Sequence, residues 1–391
     1  MNVQQIHQLV NTATQETLGE SAVVNEDLSN VVDVGTEIFN ANAVDNYVRS
    51  LVDHIGKVIF VNRPYRGGVP SVLMDGWEYG SVLEKISAEL PVATENESWE
   101  LQDGASYDPN IFYKPKASTK FFNSRTTFEI PVSITERQVK SSFDSAQQVA
   151  SFVNMIYNEV EKSMTIKTDA LIMRTINNFI AQTLYDYNSG GTYTGAGNTR
   201  AVNLLSRYNT AAQAINDTAK GKSLTAEQAI NDPDFLRYSA YVIKQYVDFM
   251  SRISTLFNIG GKARFTPSDA MHLVLLNSFS AGADVFLQSD VWHNELTKLP
   301  AYETVPYWQG SGTDLSFNSL SSISVTTGEG AVTAKGILGV MFDRNALGVN
   351  NFNRRVTTNY NAKAEFWNNY YKMDAQYFND ANENFVVFYA A

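Results

Sequence analysis

The sequence predicts an α+β fold, and three observations carry that reading. The run "SAQQVASFVNMIYNEVEKSMTIKTDALIMRTINNFI" from Ser145 to Ile180 has neither proline nor glycine and keeps apolar residues at helical spacing. Directly before it, "RTTFEIPVSITERQV" alternates Phe128, Ile130, Val132 and Ile134, the pattern of a half-buried strand. From Leu315 onward "SSISVTT", "KGILGVMFD", "RRVTTNYNAK" and "NFVVFYAA" read as further strands. Strands on both sides of long helices imply that the C-terminal strands return to complete a sheet begun earlier.

Taken in order, residues 1–30 are polar and predict a mobile or weakly helical start. From Leu28 the pattern is an extended piece, then an amphipathic helix with Val44, Tyr47, Val48, Leu51, Val52 and Ile55 on one face. Val61 to Ser124 is rich in glycine, proline and aromatics, with "RPYRGGVPS", "DGWEYG", "DGASYDPN" and "YKPKAS" as turn signals between short β-like runs. A loop of that length points to an interaction element. The Ser145–Ile180 helix spans about 50 Å at ~1.5 Å per residue. Ser145 and Gln148 fit a capping box at its start. One stripe holds Val149, Phe152, Val153, Ile156, Tyr157, Val160 and Met164, and Leu171, Ile172, Ile176, Phe179 and Ile180 resume it after a polar turn at Thr165–Thr168. The heptad phase is not kept, so the helix is expected to lie along something else rather than in a free-standing coiled coil. "NSGGTYTGAGNT" at 188–199 is a loop, and a second helical run covers Pro233 to Phe257, stopped at Gly260. "MHLVLLN" reads as a buried strand and "SAGADVFLQSDVW" as a short helix.

Chemistry is sparse. Without cysteine there are no disulfides, thiolate metal sites or Cys nucleophiles. His7, His54, His272 and His293 are the only histidines, and no two share ligand spacing on one face, so no metal is expected. "KGKS" at 220–223 lacks the glycine of a phosphate-binding loop five residues before Gly221, where Asn216 stands. Carboxylates are plentiful but unpaired, so no catalytic residue and no cofactor is predicted, and the chain is not expected to be an enzyme. No stretch approaches 18 apolar residues and no secretory signal opens the chain, so no membrane partner is expected.

A net charge of −11 argues against a protein whose task is to grip nucleic acid. The charge is uneven. No Lys or Arg occurs up to Val48, while Lys114 to Lys140 is basic. This predicts an acidic arm meeting a basic loop of another subunit, with Asp33, Glu37 or Asp45 approaching Lys116, Lys120 or Arg125. An acidic arm, an oversized loop and a lone long helix each order backbone at a cost that a partner would offset, so the chain reads as a self-assembling subunit.

That order of parts resembles the major capsid proteins of tailed phages, of the Hong Kong 97 (HK97-like) fold. "FEIPVSITERQVKSSFDSAQQVASFVNMIYNEVEKSMTIKTDALIM" looks like their strand and spine helix, and "ILGVMFDRNALGV" is similar to a late strand with Asp-Arg. A narrower likeness, to the phi-29-like podophages, rests on "VRSLVDHIGKVIFVN", "FVNMIYNEVEKS" and "FWNNYYKMDAQYFNDANENFVVF".

The resemblance implies an N-terminal arm at 1–58 and an E-loop at 59–130. A P-domain would comprise 131–187 and 330–391, with its spine helix at 145–180, and an A-domain 188–329. It implies a homo-oligomer of pentamers and hexamers in an icosahedral or prolate shell. That shell would enclose double-stranded DNA without sequence-specific binding, with a portal protein as partner, and would be assembled in the bacterial host cytoplasm as the virion capsid. Only about thirty residues precede the patterned part of the arm that begins at Leu28, so a separate scaffolding protein is expected. The immunoglobulin-like C-terminal module of the phi-29 subunit is not expected, and neither is crosslinking through Lys114, Lys116 or Lys120. The spine bends during maturation in related shells, and Thr165–Thr168 is the expected place. An encapsulin-type compartment and a phage tail or adhesin protein are the competing readings.

Overall fold

The computed structural model describes residues 3–61, 69–74, 83–88, 91, 93, 95–114, 116–187, 197–215, 223–288, 301–309, 314–328 and 330–391. Helices and strands are mixed along the chain, as predicted, and fall into two compact units.

The first unit comprises Met1–Gly80, Ser124–Ile172 and Val349–Gln376. Helix α1 spans Val3–Leu18, α2 Val31–Asn40 and α3 Val44–Val61. Of the start predicted as mobile or weakly helical, Val3–Leu18 is a packed helix: Ile6, Leu9, Val10 and Ala13 recur at helical spacing and are buried. The predicted extended piece after Leu28 is likewise helical, because Val31, Val34 and Ile38 share one buried face. All six apolar residues expected on α3 are buried.

Three long strands of the chain meet in one sheet. In chain order β1 spans Leu83–Ala88 and β2 Ala117–Phe122, both in the second unit; β3 covers Arg125–Thr135. β3 is followed by α4 (Glu136–Ser142) and by α5 (Ala146–Tyr187). The alternation read from the sequence is realised: Ile130 and Ile134 are buried, and Phe128 and Val132 half-buried, between exposed neighbours. The full reciprocal capping box lies at Thr135 and Gln138, starting α4. At Ser145 the hydroxyl accepts from the Gln148 amide at 3.3 Å.

Helix α5 runs seven residues beyond the expected end. "AQTLYDY" contains no helix breaker, and Ala181, Thr183 and Leu184 prolong the buried face. The polar turn is packed at Thr168. Thr168 is buried, on the stripe between Met164 and Leu171–Ile172, and its hydroxyl accepts from Asn351 Nδ2 at 3.4 Å. Thr165 bonds back to the Glu161 carbonyl at 2.9 Å. Thr168→Val, which keeps the shape and removes the hydroxyl, is expected to cost about 1–2 kcal/mol in urea unfolding. A gain in stability would mean that the turn is simply more apolar stripe.

The remaining strands are β4 (Ala201–Asn203), β5 (Met271–Leu276), β6 (Glu303–Val305), β7 (Ile323–Thr326), β8 (Ala331–Ala334), β9 (Ile337–Asp343), β10 (Leu347–Asn361), β11 (Phe366–Asn379) and β12 (Phe385–Tyr389). β10, β11 and β3 form a three-stranded sheet, with Phe366 opposite Thr135 and Gln376 opposite Arg125 in its antiparallel β11–β3 pair. C-terminal strands therefore do return to a sheet begun earlier. Ile130, Ile134, Trp367 and Tyr371 of this sheet share one core with the α1, α2 and α3 stripes and with Val149–Met164 of α5.

The second unit comprises Ser81–Asn123, Met173–Gly348 and Tyr377–Ala391. Its centre is a five-stranded sheet of order β4-β12-β9-β5-β6. "FVVFY" and "ILGVMFD" are buried at every position, as strands covered on both faces require. Gly336 enters β9 at φ 76°, and a Cβ there would stand 1.9 Å from the Ala390 carbonyl oxygen, so only glycine fits. Helix α6 is Leu204–Ile215, α7 Ala226–Ala229, α8 Pro233–Met250 and α9 Asn277–Gln288. The second helical run ends at Met250 rather than near Gly260. Ser251 Oγ takes the Val247 carbonyl, the Thr266 amide takes that of Met250, and a Ser254–Arg264 bridge turns the chain back.

Candidate assembly surfaces

β1 and β2 pair antiparallel from Leu83 opposite Phe122 to Ala88 opposite Ala117, and together form a hairpin. The chain between them exposes Trp99, Leu101, Tyr107, Ile111, Phe112 and Tyr113, with Trp99 96% exposed. Ile86 and Phe121 on the strands are exposed as well. So many large apolar side chains on one short segment mark a surface meant for another protein. The same stretch carries Glu95, Glu97, Glu100, Asp103 and Asp108, and its next basic residue is Lys114. Sequence reasoning singled out this loop but not these side chains; the signal was six large apolar residues in a segment with no helical or strand period.

The hairpin strands are tied ionically within their own unit. Lys85 lies 2.8 Å from Asp380 and 2.7 Å from Glu383, Lys120 reaches Asp380 at 3.1 Å, and Arg264 approaches Glu383 at 3.3 Å. Asp380 is buried, and its backbone amide bonds to the Ala346 carbonyl at 2.7 Å. Burial pushes its carboxyl up, but bonds from Lys85, the Asn382 amide and Lys120 outweigh this and hold it below the usual carboxylate range. Phe122 packs on Phe378, ring centroids 5.1 Å apart. This charge cluster left no trace in the sequence, since Lys120 and Asp380 are 260 residues apart.

Of the six charged residues predicted to meet across subunits, Asp33 and Glu37 lie exposed on α2, and Lys116 and Arg125 are exposed just before β2 and at the start of β3. Several of them, Asp45, Lys120 and Arg125 included, already make contacts in their own subunit. Asp45 accepts from Arg49 at 2.9 Å and from the Trp367 indole at 2.6 Å, and Lys120 holds Asp380.

The three described histidines make structural contacts. His7 Nε2 is 2.9 Å from the Val24 carbonyl, and His54 Nε2 is 3.0 Å from Glu16. His272 lies on β5 against Phe342, and burial lowers its pKa. His293, the 220–222 part of "KGKS" and most of 188–199 lie outside the described residues. Among the described residues no group of three metal-ligating side chains occurs, and no helix is long and apolar enough to cross a membrane.

A hairpin fixed at its base and apolar at its tip defines a subunit that presents itself to other proteins. The chain belongs to the Phi29-like phage major capsid protein family, whose model matches residues 9–389. It is thus a shell-forming structural component of a bacteriophage virion, with the HK97-like α+β fold. Among solved structures, the capsid of Staphylococcus phage Andhra is similar at 9% identity over 82% of this chain and 83% of that one, with a TM-score of 0.48. The mature capsid of bacteriophage PhiM1 is similar at 9% identity over 84% and 87%, TM-score 0.41, and that of cyanophage P-SCSP1u at 11% over 82% and 86%, TM-score 0.40. These likenesses are remote, and the family match is what defines the class. No curated protein sequence matches.

Proposed function

We propose that this chain builds the pentamers and hexamers of a phage head around double-stranded DNA, and that the apolar tip between β1 and β2 is the contact that joins one copy to the next. The exposure of Trp99, Phe112 and Tyr113 on an ionically anchored hairpin supports this reading most directly. In this frame residues 59–130 are the E-loop, 1–58 the arm, 131–187 with 330–391 the P-domain, and 188–329 the A-domain. The tip's counterpart is the outward face of a neighbour's α5, where Met155 and Ile166 are exposed. Asp33, Glu37 or Asp45 of one copy meets Lys116, Lys120 or Arg125 of another. A separate scaffolding protein and a portal protein complete assembly in the bacterial cytoplasm. The role is structural, with no reaction of its own. An acidic chain also suits a container that must release its DNA.

The triple variant Trp99→Ala, Phe112→Ala and Tyr113→Ala tests it. Each aromatic anchor at an interface contributes on the order of 2 kcal/mol, so shells counted by electron microscopy and sedimentation should fall at least about tenfold. Circular dichroism should be unchanged, since these side chains pack on nothing in their own subunit's core. Shells at wild-type yield would refute the assignment.

A further inference from the structure

Four large apolar side chains stand out around the turn that follows α8 in the second unit. Phe249, Ile253, Leu256 and Phe265 are each between 45% and 61% exposed. We propose that this face is a further copy-to-copy contact, separate from the hairpin tip and covered by a second molecule of this chain. That inference rests on the reading of the chain as a shell subunit.

The backbone gathers the patch. Ser254 and Arg264 exchange both amide-to-carbonyl bonds, at 2.9 and 3.0 Å, in an antiparallel bridge. Their neighbours Ile253 and Phe265 flank that bridge, and side chains alternate along an extended chain, so these two share the opposite face. The inward positions are taken: Arg264 reaches Glu383 at 3.3 Å, and buried Thr266 accepts from Asn384 Nδ2 at 3.0 Å. Phe249 and Leu256 lie a few residues to either side of Ile253 in the chain and are exposed as well. A cluster of large apolar groups on one turn is more than scattered surface hydrophobicity.

The turn is also held rigidly. The Phe385 amide donates to the Phe257 carbonyl at 2.9 Å, that of Gly260 to Ala381 at 2.7 Å, and that of Thr266 to Met250 at 2.8 Å. The Leu256 carbonyl accepts from the Thr199 hydroxyl at 3.0 Å. Side chains on such a turn cannot fold inward to leave water, and as preorganised anchors they lose little freedom when a partner covers them.

Charge identifies the partner. Arg252 lies 3.8 Å from Asp248 and Arg264 is held by Glu383, while Lys262 makes contacts of its own. A partner selected by opposite charge finds little that is unanswered here. A second copy does fit. Two chains of net charge −11 repel each other, so they meet best where charge is cancelled locally and apolar area is left. Interface centres have this make-up, enriched in aromatic residues and depleted of unpaired charge.

The test replaces Phe265 in the full chain with photoreactive p-benzoyl-phenylalanine, then irradiates assembled particles. A covalent dimer is expected on a denaturing gel, with both crosslinked peptides assigned by mass spectrometry to this chain. The double variant Ile253→Ser and Phe265→Ser should weaken association in sedimentation at least about tenfold. Its melting temperature should be unchanged, because both side chains already stand in water. This variant reads the face should the bulkier ring block assembly. A crosslink to a different protein, no intermolecular crosslink, or wild-type association of the double variant overturns the proposal. Normal shells from the Trp99, Phe112 and Tyr113 variant would refute the tip assignment alone, leaving the crosslink from position 265 to decide this face.

Discussion

Asp380→Asn is expected to be the most damaging single change in the second unit, lowering stability by about 3 kcal/mol. The carboxylate is buried and holds Lys85 and Lys120 at 2.8 and 3.1 Å. Asn preserves the shape and can still accept from the Asn382 amide, so the loss isolates the charge. Removing one member of a buried ionic cluster costs about 3–5 kcal/mol, and the low end applies because both lysines keep some contact with water. The pH dependence follows from the sign of the shift. A carboxyl held below its unfolded value of about 3.9 contributes stability that is fully present above that value and lost as pH falls through the folded one. Thermal melts should therefore separate wild type and Asp380→Asn by several degrees at neutral pH, with the gap closing below about pH 4. A gap that persists unchanged at pH 3 would show that shape rather than charge is responsible. The same variant should loosen the hairpin and reduce shell yield, since β1 and β2 each contribute a lysine to the cluster.

Trp367→Ala should destabilise the first unit by about 3–5 kcal/mol, the range for emptying a large aromatic site. Trp367 is 1% exposed, stacks near Tyr360 with ring centroids 4.8 Å apart, and lies in one core with the stripes of α1, α3 and α5. Its indole N–H also donates to Asp45 at 2.6 Å. Trp367→Phe removes that bond while keeping most of the packing, and should cost only about 1 kcal/mol, because Asp45 retains Arg49 and solvent. Urea unfolding followed by circular dichroism distinguishes the two contributions. Equal losses in the two variants would mean that the Asp45 bond, not the packing, secures the strand.

Much of the first unit was legible because its signals are periodic. The six apolar residues of α3, the alternation of β3 and the stripe of α5 each repeat at the spacing of their own element, and burial follows that spacing. The misread elements had weaker versions of the same signal. Residues 3–18 are polar enough to look mobile, yet Ile6, Leu9, Val10 and Ala13 are buried because they join the α3 and α5 stripes in one core. The polar run at Thr165–Thr168 also hides a contact that its composition does not announce: Thr168 is buried, and Asn351 of β10 donates to its hydroxyl.

Local periodicity thus determined the α+β class, the long helix and the C-terminal strands, since a side chain's face depends only on its own element's repeat. The tertiary structure alone decided which charges are already taken. Asp45 is claimed by Trp367 and Lys120 by Asp380, through pairs 322 and 260 residues apart in the chain. It also decided that Asp380, far from the hairpin in sequence, anchors it. Those partnerships depend on the path of the chain through space, and no repeat within a single helix or strand encodes that path.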